Sequence, residues 1–238
     1  MSVVDIVILV ILGIFLIKGF KNGVLKELVT FVGGVLVIVL AFFFKNPLSV
    51  LMYEHLPFFK FGGIFSGMSV INIIVYELLS FIIVLSVLAV LFKIIVAVSN
   101  LVEKVLKITV ILAIPSKLLG AVVGLLEGFI VVFIGLFIGI HIKSTNYYIN
   151  ESKYALSILD KTPILSQVTG PVYDATMEIY NVAEEFKNSD NKGEANLKAL
   201  DILLKYEILD IESADLLVEK GKINVNDAHN ILDKYRGR

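Results

Sequence analysis

The sequence predicts an all-α, polytopic membrane protein with four transmembrane helices, an amphipathic interfacial helix and a helical, polar C-terminal tail. Three observations carry that expectation. Apolar runs long enough to approach or cross a bilayer recur four times before residue 142. Charge is segregated, with nine Lys/Arg and six Asp/Glu up to residue 141 against twelve and sixteen in the remainder. Five glycines punctuate the fourth run at helical spacing. Of the 238 residues, 57% are hydrophobic and mean hydropathy is +0.87, above the roughly 45–50% apolar content of soluble domains.

The membrane domain is expected over 1–141. Its first span is placed at 3–17, with Asp5 at the interface. No basic stretch precedes the apolar run and no small-residue cleavage pattern follows it, so it reads as a retained span and not a signal peptide. Lys18, Lys21 and Lys26 cluster in the tight connection that follows, where Gly19 and Gly23 permit a sharp turn. Span two is placed at 28–44, with Gly33-Gly34 marking a bend or a close helix contact. Residues 45–69 hold Pro47, Pro57 and three glycines among aromatic residues. They predict an interfacial loop, with a short helix lying flat.

Span three is placed at 70–92 and includes Glu77, with Asn72, Tyr76 and Ser80 on one helical face. An amphipathic helix over about 93–107 should follow, its Lys93, Lys104 and Lys107 facing lipid headgroups. Span four covers 118–141, long enough for a hydrocarbon core of about 30 Å. Gly120, Gly124, Gly128, Gly135 and Gly139 fall in one arc at about 100° per residue. Such an arc lets a neighbouring backbone approach closely, which is how helices associate in lipid.

The tail divides into a membrane-proximal helical segment, 142–187, and a small helical part, 188–238. Thr162-Pro163 and Gly170-Pro171 can each start a helix. The last part reads as three short helices, with Gly221 as a helix stop and Asn226 as a cap. At about 45 residues it would be marginally stable alone. Lysines concentrate between spans one and two and between spans three and four, which puts those connections in the cytoplasm and both termini outside.

The residues resemble a known family. Asp5 with its apolar run, then Gly19-Phe20, Gly23 and Glu27, is similar to the opening of the CvpA family, the colicin V production proteins. Lys117 before the ladder of Gly120, Gly124 and Gly128 resembles the family's second signature. The likeness covers about residues 1–165. Glu127 departs from it, standing where the family pattern is often basic. The resemblance implies a multi-pass protein of the bacterial cytoplasmic membrane, connected with colicin V or toxin production and with envelope stress tolerance. Some relatives carry an extracytoplasmic protease domain after the same four spans, in agreement with an outside tail.

Glu127 lies about 9 residues, or roughly 14 Å, into span four. A charge at that depth should face protein or water. It reads either as a proton or cation relay or as a hydrogen-bonded group holding helices together, and no Lys or Arg of another span is expected at its depth. Glu77 offers the same choice. Glu27 reads as pairing with a nearby lysine or capping span two, and Lys18 and Lys21 read as topology signals.

Enzyme signals are missing. His55, His141 and His229 are scattered, no metal-ligand spacing occurs, and Lys192 stands where a calcium loop needs oxygen. There is no cysteine, and a net charge of −1 excludes a strongly basic nucleic-acid binder. No catalytic residue, cofactor or metal is expected. The expected partners are the lipid bilayer, a second copy of the chain and an unidentified membrane or envelope protein. The leading expectation is a non-enzymatic scaffold or accessory factor for toxin production, export or envelope homeostasis. The alternative is a small channel or transporter using Glu77 and Glu127.

Overall fold

Four helices are long and apolar enough to cross a membrane, and all other regular elements among the described residues are also helical. The computed structural model describes residues 2–98, 113–140, 142–223 and 227–236. In chain order the helices are α1 (Val3–Asn22), α2 (Val24–His55), α3 (Val70–Val98) and α4 (Ala113–Ile140), then α5 (Lys143–Asn150), α6 (Lys153–Asp160) and α7 (Pro163–Glu185). The series ends with α8 (Lys192–Lys205), α9 (Ile211–Glu219) and α10 (Ala228–Tyr235). A 3-10 turn, Gly63–Phe65, lies between α2 and α3.

The chain forms two compact units, one of residues 1–38 and 88–167, the other of 39–87 and 168–238. This differs from the expected division at 141, because α2 and α3 each contribute to both units.

In the first unit, α1 starts with a capping box. Ser2 Oγ accepts from the Asp5 amide at 3.2 Å, and Asp5 Oδ2 accepts from the Ser2 amide at 2.8 Å. The helix does not stop at residue 17. It continues past Lys18 and Lys21 to Gly23, whose φ of 74° only glycine adopts readily. The lysines do not end it because long cationic side chains are good helix formers and can reach a polar partner beyond the apolar stretch.

Helix α4 packs against α1 with opposite polarity. Gly120 and Gly124 face Gly19, Gly124 and Gly128 face Phe15, and further along Val132 and Leu136 share a buried cluster with Ile8. A Cβ on Gly19 would fall on the Gly120 carbonyl, and one on Gly120 would sit 2.7 Å from the Gly23 carbonyl carbon. Backbone here meets backbone, with no flexible side chain to yield. The expected five-glycine seam is therefore shorter. Gly139 faces the Ile149 side chain of α5, and nothing lies within 4 Å of a Cβ on Gly135. The arc is right for one helix, but α1 covers only its first three glycines. In α2, Gly33 receives the Phe92 ring of α3, whereas Gly34 is open.

In the second unit, α2 continues eleven residues beyond the expected span end, through Pro47, to His55. The expected loop is shortened to residues 56–69, and its flat helix is only the 3-10 turn. Proline removes one intrahelical bond, but this end of α2 is held by other contacts. Tyr53 is buried against Tyr76, Tyr76 Oη donates to the Pro57 carbonyl at 2.6 Å, and Asn72 clamps both the amide and the carbonyl of Phe59.

The tail shares its core with the membrane helices. Ala175, Ile179, Ala183, Leu200, Leu203, Leu217 and Leu232 form one buried core with Tyr53, Met68, Val70, Ile73 and Tyr76. Asn196, near the start of α8, accepts from the Val70 amide at 3.1 Å and donates to the Gly67 carbonyl at 2.9 Å. A tail too small for its own core thus completes one on the ends of two membrane helices. Helix α7 passes through Gly170-Pro171 without restarting. Gly221, at φ 64°, follows the end of α9 as its sequence suggests. The expected interfacial helix is absorbed into α3 as far as Val98. Its remainder, with Lys104 and Lys107, lies outside the described residues, as do His141 and Asn226.

The seam predicts a sharp contrast between two glycines of one helix. Gly124→Val should lower the thermal unfolding midpoint of the detergent-solubilised chain, by a destabilisation of about 1–3 kcal/mol for overpacking. Gly135→Ala should leave it unchanged or raise it, since glycine in a helix is up to about 1 kcal/mol worse than alanine. Scanning fluorimetry of both variants checks this.

Candidate functional site

Each unit places one cluster of ionised side chains on its membrane helices. In the first, Lys18 of α1 stands between two carboxylates. Its Nζ lies 2.8 and 3.0 Å from the two Glu127 oxygens of α4 and 3.2 Å from Glu27 Oε1 of α2. The glycine seam makes this meeting possible, because only close backbones let the Lys18 stem reach across to α4. Glu27, one turn beyond Gly23, has no exposed surface. Its Oε2 accepts from Asn22 Nδ2 at 2.7 Å, while Oε1 faces the Lys18 ammonium. Ser116 Oγ, at the start of α4, accepts from the Val24 amide at 3.3 Å and fixes the turn. Lys117 points its ammonium over the Phe20 ring at 5.8 Å.

Glu127 therefore has the cationic partner that span-by-span reading denies it. The sequence places Lys18 in a connection, yet it is helical and one turn inside α1. It is more than a topology signal.

In the second unit, Glu77 of α3 is buried between Lys45 and Tyr53 of α2. Lys45 Nζ donates to Glu77 Oε2 and Tyr53 Oη donates to Oε1. The Ile208 carbonyl, in the α8–α9 connection, lies 3.4 Å from Lys45 Nζ. One buried carboxylate thus meets one ammonium and one phenol, and the cluster is neutral. Lys45 and Tyr53 escape sequence reading because residues 45–55 read as loop. The available signal was their spacing of eight residues, two turns of one helical face.

Asp5 is not merely interfacial. It is buried, and Oδ1 accepts from Ser152 Oγ at 2.5 Å while Ser152 caps α6 through the Ala155 amide. One carboxylate therefore joins the start of α1 to the segment after α4. Of the family-pattern residues, Gly19, Gly23, Glu27 and Lys117 gather around the α1–α2 turn, Phe20 beneath Lys117, and Asp5 sits at the opposite end of α1. Glu77 and Glu127 belong to different clusters.

Chemically, both clusters hold charge without exposing a nucleophile. Among the described residues no group of three or more His, Cys, Asp or Glu could hold a metal ion.

Removing one partner from the neutral cluster should be costly. Lys45→Met leaves Glu77 buried without a cation, and about 3–5 kcal/mol of stability should be lost. The double variant Lys45→Met/Glu77→Gln should recover most of it. Thermal unfolding of the three chains checks the coupling.

A family model described as Colicin V production protein matches residues 4–163. No curated protein and no solved structure matches the chain.

Proposed function

The chain belongs to the colicin V production protein family, and from that premise we propose that it is a non-enzymatic scaffold of the bacterial cytoplasmic membrane. In this reading it supports toxin production or export, or envelope homeostasis, and both termini face outward.

The observation that carries the reading is the shared core of the second unit. Tyr53, Ile73 and Tyr76 of the membrane helices are buried with Leu200, Leu203 and Leu217 of the tail. A tail held that way presents a fixed surface at the membrane, which suits a docking platform better than a tethered, independent module. Exposed residues on α7, among them Val172, Met177 and Tyr180, supply apolar points on the otherwise polar face of that helix. Charge pairing between the helices suits a structural role.

The test is complementation. A colicin V-producing strain lacking its own family member should release several-fold more toxin when given this chain, with intracellular toxin unchanged. Photo-crosslinkers at Met177 and Tyr180 should join it to a membrane or envelope protein or to a second copy. Unrestored release together with no crosslink contradicts the proposal.

A second reading, a small channel or transporter, is favoured by the ion clusters on the membrane helices. Proteoliposome flux distinguishes it. Ion or proton flux that falls with Glu127→Gln or Glu77→Gln supports transport. No flux, or flux indifferent to both changes, removes it.

A further inference from the structure

Helices α1 and α4 meet backbone to backbone at one end only. Gly19 and Gly120 touch there, whereas a Cβ on Gly135 would find no atom within 4 Å. The space left beside Gly135 is a groove of about 490 Å³. Val4, Val7 and Ile8 of α1 wall one side, and Val131, Val132 and Gly135 of α4 wall the other. That volume falls within the roughly 300–1,000 Å³ of ligand pockets. Thr145 and Tyr148 of α5 bring the only side-chain polar atoms to its lining. Water would find too few partners in it.

The surroundings fix its depth and its entrance. Helix α5 closes one end, where a Cβ on Gly139 would lie 2.7 Å from Ile149 Cδ1 and Thr145 Oγ1 donates to the Gly139 carbonyl. Tyr148 lines this end, and Tyr147, Tyr148 and Tyr154 are all exposed. Tyrosines gather at the headgroup level of a bilayer. The α5 end therefore lies at the interface, and the rest of the groove runs into hydrocarbon. Val3, Val7 and Val131 on its walls are exposed, so it opens sideways to lipid.

Size selects the occupant. A helix is about 10 Å across, and a single turn of it fills about 400 Å³. The groove would hold hardly more than that turn, and α5 blocks any continuation past Gly139. A second copy's helix is thus a poor fit. An apolar cavity of about 150 Å³ takes the six carbons of benzene. On that ratio the groove takes roughly 20 carbons, about one fatty chain.

We propose that this groove binds one acyl chain of a membrane phospholipid, which enters sideways and keeps its headgroup beside Tyr148. The site requires only that α1 and α4 cross the bilayer, so it stands for a scaffold and for a transporter alike.

The test places the full chain in phosphatidylcholine–phosphatidylglycerol vesicles doped with a phosphatidylcholine whose acyl chain carries a diazirine. After irradiation, fragment-ion mass spectrometry locates the adducts. Ile8, Val132 and Leu136 line the groove but are only 3%, 3% and 7% exposed, out of reach of lipid that merely surrounds the protein. The wild-type chain should carry adducts on these three as well as on the outward Leu9 and Ile138. Gly135→Phe fills the groove from α4, and Val7→Phe fills it from α1. Each should lower the groove adducts several-fold and leave those on Leu9 and Ile138 unchanged, which also shows that the variant is inserted. Wild-type adducts confined to outward residues overturn the proposal, and mean that protein, from this chain or a second copy, fills the space. Groove adducts that persist in either inserted variant overturn it too.

Discussion

The absence of side chains at Gly19, Gly120 and Gly124 lets the backbones of α1 and α4 touch, and much of the first unit follows from that contact. In lipid, apolar side chains gain little by meeting one another, so helices associate through close van der Waals packing and polar contacts. A seam of glycines supplies the first and brings the second within reach. Lys18 can bridge to Glu127 only because no side chain holds α1 away from α4. The same approach sets the α1–α2 turn at Gly23 against the start of α4, where Ser116 takes the Val24 amide.

A different constraint organises the second unit. Its tail helices are too few to bury a core of their own, and the ends of α2 and α3 carry apolar and aromatic side chains that need cover. Each solves the other's problem. Tyr53, Ile73 and Tyr76 enter the tail's core, and Asn196 takes up the amide of Val70 at the start of α3. Pro47 survives inside α2 because the helix end around it is fixed by Tyr53, by Glu77 and by the Phe59–Asn72 clamp. Local propensity predicted a break there, and tertiary contacts prevail over it.

Much of this was legible in the chain itself. Four apolar runs gave four helices, and the spacing of Gly120, Gly124 and Gly128 gave a packing face. What could not be read was where each helix ends and which charges meet. In the sequence, helices read as ending where apolar residues give way to lysine or proline; in the structure Lys18 and Lys45 are inside helices, each with a carboxylate partner. Those pairings join residues 109 and 32 positions apart, and no local pattern encodes them. The arc of Gly135 is visible too, but whether a neighbour fills it depends on tertiary packing: Val4, Ile8 and Val132 line an open space there, with nothing within 4 Å of a Cβ.

The central claim is that α1 and α4 meet backbone to backbone in the membrane. The chain has no cysteine, so a single engineered pair reports without background. A Cβ on Gly128 would lie 2.8 Å from Cβ of Phe15, so a shift of about 1 Å brings the pair to the roughly 3.5–4.5 Å separation a disulfide spans. In native membranes, oxidation of the Phe15→Cys/Gly128→Cys chain should give an intramolecular disulfide in most of the protein. Free thiols after oxidation, or crosslinks between chains alone, would contradict the seam and the charge cluster built on it.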